Sequence, residues 1–223
     1  MSFSRYAIFY LPPAGALADF GATWLGWDVA AGQPVRHPDM PGLDDVTGSP
    51  RRYGFHGTLK PPFRLADGTD LSGLQRAVAR MATTCPPGQA QGLTLSRLGR
   101  FLALVPLGKA VEIARVAATC VEALDGFRAP MDAVELARRR KFGLSDRQDA
   151  LLRRWGYPYV MEEFRFHLTL TDRLPVAQIA LWTERALSVM PELPAPFVLD
   201  AVALVGERQD GRFELIRRYA LGG

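Results

Sequence analysis

The spacing of apolar residues along the chain switches between the strand period and the helix period, in an order that occurs twice. In the first half, the order is strand, helix, strand, helix and two strands. The corresponding predicted ranges are 5–11, 15–25, 53–60, 70–85, 93–97 and 101–106. In the second half, a helix, a strand, a helix and two strands follow, at 109–124, 164–171, 175–190, 198–205 and 212–221. This recurrence predicts an internal duplication.

Two further matches between the halves support the duplication. The tripeptide Gly99-Arg100-Phe101 recurs as Gly211-Arg212-Phe213, at nearly the same distance from the histidine of each half, His56 or His167. We therefore predict an α+β protein with a duplicated, two-lobed fold and pseudo-twofold symmetry. Antiparallel sheets would line a central groove and helices would lie outside. Residues 1–223 would form one domain of intertwined lobes, with the repeat boundary near 100–106.

The second half is longer than the first by an insertion at about 126–162. It contains a basic cluster, Arg138–Lys141, which is typical of a solvated helix face. A capping box of Ser145 and Gln148 predicts that a helix begins there, and Gly156 predicts its end. Its basic and aromatic residues also suggest a lid over the active site, and the sequence leaves both interpretations open.

Side chains alternate between the two faces of a strand, so each histidine strand has one polar face. His56, Thr58 and Lys60 share such a face in the first repeat, and Arg165, His167 and Thr169 share one in the second. If symmetry brings the two faces together, one imidazole can accept a proton while the other donates one. The threonines would hydrogen-bond phosphate oxygens, and the cations would balance their charge. This chemistry suits the cleavage of a phosphate ester.

No metal or other cofactor is expected from these residues. The polar faces carry no carboxylate, His37 lies in an unrelated loop, and the two cysteines, Cys85 and Cys120, are far apart without a CxxC motif. A zinc or divalent-ion site would therefore lack ligands.

The composition is that of a protein with a sizeable core and a mild positive charge. Of 223 residues 48% are hydrophobic, and the formal net charge is +4, which suits an anionic ligand. We find neither an N-terminal signal segment nor a long uncharged apolar stretch, so we expect a cytoplasmic protein with no membrane partner. The expected ligand is a small phosphorylated or cyclic-phosphate compound, with RNA less favoured, and the oligomeric state is open.

The motifs His56-Gly57-Thr58-Leu59 and His167-Leu168-Thr169-Leu170 resemble the paired H-x-[T/S]-hydrophobic motifs of the two-histidine (2H) phosphoesterase superfamily. This superfamily includes RNA cyclic phosphodiesterases, RNA 2′-5′ ligase-like proteins and plant cyclic phosphodiesterases. The resemblance implies a duplicated α+β fold and catalytic roles for His56, Thr58, His167 and Thr169. The stretches RRYGFHGTLKPPF, GLSDRQDALLRRWGYPYV and FRFHLTLTDRL are similar to an uncharacterised branch found with phosphonate-utilisation genes.

Strand parity adds Lys60 and Arg165 as substrate-binding residues, and proximity in sequence adds Tyr53. Three functions remain open. The first is a metal-independent phosphodiesterase that opens a small cyclic phosphate, linked by the resemblance to phosphonate metabolism. The second is processing of RNA 2′,3′-cyclic phosphate or 2′-5′ ends, which would need a basic track with stacking aromatics. The third is a non-catalytic accessory protein that binds a phosphate metabolite. A separate, purely structural interpretation of the motifs is that each histidine is only a strand residue hydrogen-bonded to its neighbouring threonine.

Overall fold

The computed structural model describes residues 3–141 and 143–223. Eleven strands and seven helices occur in these ranges, together with short 3₁₀ turns. The strands are β1 Tyr6–Tyr10, β2 Trp27–Asp28, β3 Gln33–Pro34, β4 Gly57–Phe63, β5 Gly88–Ala90, β6 Gly92–Leu98, β7 Phe101–Leu107, β8 Leu168–Thr169, β9 Phe197–Leu199, β10 Ala201–Glu207 and β11 Phe213–Ala220. The helices are α1 Ala16–Leu25, α2 Gly48–Arg51, α3 Leu71–Thr84, α4 Val111–Ala123, α5 Ala133–Arg140, α6 Asp146–Trp155 and α7 Ile179–Val189.

Seven strands form one antiparallel sheet in the order β11-β10-β1-β4-β8-β7-β6. Apart from the edge strand β11, this order is symmetric about the line between β4 and β8. β1 and β10 continue the sheet beyond β4, as β7 and β6 continue it beyond β8. Because β10 of the second half pairs with β1 of the first, and β7 of the first half pairs with β8 of the second, each half of the chain contributes a strand beside the other half. The predicted α+β class with antiparallel pairing is therefore confirmed.

The helices cover one face of this sheet. α1, α3, α4 and α7 contribute buried residues such as Trp24, Val78, Val116 and Trp182 to the main hydrophobic core. The central strand β1 is buried on both faces: Ile8 contributes to this core, and its neighbours contribute to a smaller cluster on the opposite face. That opposite face, free of the four long helices, is where the polar histidine motifs lie.

The insertion contains the two helices α5 and α6. The predicted capping box is present at the start of α6, where the Ser145 hydroxyl accepts from the Gln148 amide and Gln148 accepts from the Ser145 amide. Gly156 ends this helix in the left-handed conformation, at φ 76°. Among the described residues, we find no helix of the length and hydropathy needed to span a bilayer.

Candidate active site

The two histidine motifs meet at the centre of the sheet. β4 pairs with β8 at Gly57 and Leu168. Continuing this antiparallel register by one residue in each direction sets His56 opposite Thr169 and Thr58 opposite His167. Since neighbours of a paired residue point to the other face, all four side chains share the face opposite Gly57 and Leu168. Directly opposed side chains in such a pair lie about 5 Å apart at Cβ, and diagonal ones about 7–8 Å. A phosphate group can contact all four.

His56 stands immediately before β4, and the preceding turn fixes its ring. Gly54, at φ 72°, follows the short helix α2 and directs its carbonyl to the imidazole. Nδ1 of His56 lies 2.8 Å from that carbonyl oxygen, and Nε2 lies 3.0 Å from the Thr58 hydroxyl. A carbonyl can only accept, so Nδ1 carries the proton. In the neutral ring, the lone pair is therefore on Nε2.

His167 has the matching arrangement before β8. Its Nδ1 lies 2.8 Å from the carbonyl oxygen of Arg165, again two residues upstream. Nδ1 is thus the donor here too, which leaves Nε2 available to a ligand. The ring packs beside Phe101, with the two ring centroids 5.8 Å apart. The repeats have therefore placed the two imidazoles in equivalent orientations.

The electrostatic environment of His56 favours its neutral form. Burial lowers the pKa of His56 to about 4, because the charged ring would lose hydration; the Gly54 carbonyl opposes this shift and a charge on His167 adds to it. Phe9 lies under the ring, with centroids 3.9 Å apart, and Tyr53 stacks near it at 5.7 Å. At neutral pH, His56 is consequently a neutral imidazole, whose Nε2 lone pair accepts from the Thr58 hydroxyl.

A cavity of about 460 Å³ opens beside these residues. His56, Thr58, Thr169 and Tyr53 line it, whereas His167 lies outside its wall. Its other lining residues include prolines, cations and aromatic side chains from distant parts of the chain: Arg5, Ser49, Pro50, Pro61, Pro62, Phe101, Arg139, Tyr157, Thr171, Asp172 and Arg173. The inserted segment 126–162 thus supplies two wall residues, Arg139 and Tyr157.

Lys60 does not reach this cavity, so its predicted role as a phosphate-binding cation is corrected. Its side chain is buried under α4, where Nζ donates to the Val121 carbonyl at 3.0 Å and lies 3.7 Å from Asp125. The cause is a β-bulge: in the pairing with β1, Phe9 faces Thr58 but Ile8 faces Lys60, so Leu59 is an extra residue. A bulge shifts the alternation of faces, and Lys60 joins the core side.

Arg165 is also absent from the cavity wall. The residue is exposed, and its Nη1 donates to the carbonyls of Glu162 and Phe164 at 3.0 and 2.7 Å. The predicted strand over 164–171 is present only as Leu168–Thr169, so alternation does not extend back to Arg165. Its contribution to the site is the backbone carbonyl that orients His167.

Sequence reasoning missed the cationic and aromatic residues that line the cavity instead of Lys60 and Arg165. Arg5 was assigned to a strand without a role, and Arg139 was one member of the basic cluster. Neither residue has a local motif that marks it, because both reach the cavity through tertiary packing. Tyr157 is one of the aromatic residues of the insertion, and the structure puts it in the wall.

The donor set does not suit a metal ion. In residues 3–141 and 143–223, no three histidine, cysteine or carboxylate side chains converge closely enough to bind one. The free thiols of Cys85 and Cys120 are buried in the core. Asp172 lines the cavity, but one of its carboxylate oxygens accepts from the Ser49 amide at 3.1 Å.

The fold and the paired motifs define an α+β protein with two H-x-T motifs at neighbouring strands of one antiparallel sheet. A family model described as "Protein of unknown function (DUF1045)" matches residues 58–214, and the chain belongs to that family.

Two curated relatives carry the name ribose 1,5-bisphosphate phosphokinase PhnN. The one from Janthinobacterium sp. (strain Marseille) is 38% identical over 221 residues, covering 94% of this chain and 49% of that protein. The one from Laribacter hongkongensis (strain HLHK9) is 37% identical over 190 residues, covering 82% of this chain and 43% of that protein. The chain therefore spans about half the length of the curated relatives it matches.

Among solved structures, E. coli LigT complexed with 3′-AMP aligns over 100% of both chains, at 14% identity and a TM-score of 0.47. The strand order and the register described above define the α+β fold independently of this likeness.

Proposed function

We propose that this protein is a metal-independent phosphodiesterase that opens a small cyclic phosphate, or a related phosphoester, by general acid–base catalysis between His56 and His167. The observation that carries this proposal is the matched pair of imidazoles. Each has Nδ1 held by the carbonyl two residues upstream, and each is followed by a threonine on the same face of the sheet.

In this mechanism, Nε2 of His56 accepts a proton from a water molecule as the water oxygen attacks phosphorus. Nε2 of protonated His167 donates a proton to the alcohol oxygen as its bond to phosphorus breaks. On substrate binding the Thr58 hydroxyl turns from Nε2 of His56 to a non-bridging oxygen, and the Thr169 hydroxyl donates to the other; the charge on these oxygens grows in the transition state. His56 is assigned as the base because its environment keeps it neutral.

The dimensions of the site favour a small substrate over an RNA strand. A cavity of about 460 Å³ lies in the range of metabolite-binding pockets. A single strand would need an extended basic track with free aromatic faces. Here Tyr53 stacks with Phe213 at 5.1 Å as well as with His56, so its ring is already engaged.

The substrate class is proposed from the relatives and the sequence resemblance. The name of the two relatives refers to a phosphorylated ribose, and the resemblance implies a place in phosphonate metabolism. Ribose cyclic phosphates are therefore the first compounds to assay, beside nucleoside and ADP-ribose cyclic phosphates.

Two single variants and two kinds of ester test the assignment of roles. His56→Ala and His167→Ala should each abolish opening of an alkyl cyclic phosphate while circular dichroism shows an unchanged fold. With a p-nitrophenyl phosphodiester, whose leaving group needs no protonation, His167→Ala should retain far more activity than His56→Ala. Full activity of either variant on the alkyl ester would refute the mechanism, and the reverse order on the nitrophenyl ester would exchange the roles.

A further inference from the structure

The cavity has a second group of cations at a distance from the histidines. Arg5 directly precedes β1 and, four residues before Phe9, lies on the same side of the extended chain, which corresponds to a separation of about 13 Å. Phe9 marks the histidine end, because its ring lies under His56. Arg5 therefore approaches the cavity from its other end.

Arg5 is held in place by an ion pair with Glu207 and has further N–H donors. Its Nε and Nη2 donate to the two carboxylate oxygens of Glu207 at 2.6 and 2.5 Å, and Glu207 also accepts from Ser4. A guanidinium has five N–H groups, so this bidentate pair leaves three for another acceptor. The Tyr53 hydroxyl lies beside Arg5 and helps to raise the pKa of the guanidinium, after the larger effect of Glu207.

Arg139 reaches the same region from the insertion. Its guanidinium carbon lies 5.5 Å from the ring centroid of Tyr157, and Nη2 donates to Glu135 at 3.1 Å. Its Nε is buried and has no acceptor among the described residues. A buried donor without a partner costs free energy, which an anionic ligand would recover.

We infer that the substrate carries a second anionic group, of phosphate type, bound between Arg5 and Arg139 while its reacting phosphate lies at the histidines. This inference rests on the proposed function and adds the substrate class: a sugar-sized metabolite with two phosphate groups. Tyr53, beside Arg5, and Tyr157, beside Arg139, line the same cavity. The insertion thereby determines specificity, since it supplies one of the two cations.

The test compares one cyclic ester with and without the second anion. The probes are methyl ribofuranoside 2,3-cyclic phosphate and its 5-phosphate. The wild-type protein should open the 5-phosphate form with a kcat/KM about tenfold higher or more, as expected for a charge-assisted contact. Arg139→Gln should bring the ratio of the two values close to one. Arg138→Gln changes an exposed arginine of the same helix outside the cavity wall and is the matched control.

Titration calorimetry of both probes with His56→Ala gives a second readout that needs no turnover. Tighter binding of the 5-phosphate form, lost on adding Arg139→Gln, would support the second site even if neither probe were hydrolysed, and the proposed function alone would then fail. Equal binding and equal kcat/KM for the two probes in the wild-type protein would overturn the second site, whatever the catalytic activity. Retention of the preference in Arg139→Gln would do the same.

Discussion

Gly57 pairs with Leu168, and through this pairing the first half of the sheet contacts the second. A side chain at Gly57 has no room, because a Cβ there would lie 2.4 Å from Cε2 of Phe166. Phe166 in turn packs on Tyr10 and Phe197, at ring-centroid distances of 5.8 and 5.5 Å. The absence of a side chain thus lets two histidine-bearing segments approach each other.

We expect Gly57→Ala to destabilise the protein by about 1–3 kcal/mol, which is the usual cost of overpacking a filled core. It should also lower activity, because the Phe166 ring must move and His167 is its neighbour in sequence. Urea unfolding and steady-state kinetics measure the two effects. Gly126→Ala is the control, since a Cβ at Gly126 meets nothing within 4 Å. Equal stability of the two variants would contradict the close approach.

The lowered pKa of His56 predicts an unusual pH dependence. The neutral ring should persist as pH falls below 6.5, so the acid limb of kcat/KM should lie well below that pH, towards 4. The same shift affects folding stability. Between about pH 4 and 6.5 the unfolded chain binds a proton that the native His56 does not, so the free energy of unfolding falls as the pH falls. An NMR titration of the ring, assigned with His56→Ala, measures this pKa directly. A midpoint near 6.5 would contradict the prediction.

The sequence was sufficient for the parts of the site that depend on local pattern and repetition. Two HxT motifs at equivalent places in a duplicated unit predicted that His56 and His167 lie together, and the sheet order places them on neighbouring strands. The sequence was insufficient for Lys60, because side chains alternate between the two faces of a strand only while the strand pairing is regular. The extra residue Leu59 moves Lys60 to the other face, before a second register shift between this pair and the pair of Tyr6 with Phe63.

The outer wall of the cavity depends on long-range packing, which no local period encodes. Arg5 reaches the cavity in a pairing with Glu207, 202 residues away along the chain. The basic cluster is visible in the sequence, but the sequence does not indicate which of its members faces the cavity. Arg140 pairs with Asp149 at 2.6 Å, whereas Arg139 lines the cavity.

Substitution by valine should affect activity at Thr169 but stability at Thr171. Thr169 lies on the histidine face, so Thr169→Val should lower kcat by about 10², as for loss of a donor to transition-state oxygens, with little change in stability. Thr171 is buried, and its hydroxyl accepts from the Leu102 amide at 3.0 Å. Thr171→Val should therefore cost about 1–3 kcal/mol of folding free energy. Denaturant titration together with kinetics separates the two roles, and a reversed pattern would exchange them.

Lys60 gives a test of the bulge that needs no substrate. Burial lowers the pKa of Lys60 to about 8, and the nearby carboxylate of Asp125 opposes the shift. Between about pH 8 and 10.5, the unfolded chain binds a proton that the native lysine has lost, so raising the pH should stabilise the native state.

Lys60→Met should abolish this contribution. The difference in unfolding free energy, wild type minus variant, should rise by about 1–3 kcal/mol between pH 7.5 and 10. At pH 7.5 the variant should be as stable as wild type or more so, because Asp125 keeps its partner Arg128 at 2.7 Å and a buried charge has been replaced by an apolar chain. Its kcat/KM should stay within a few-fold of wild type. A large loss of activity in Lys60→Met would instead indicate that Lys60 contacts the phosphate. It would contradict the placement of Lys60 on the core face of the sheet, which follows from the pairing of Ile8 with Lys60.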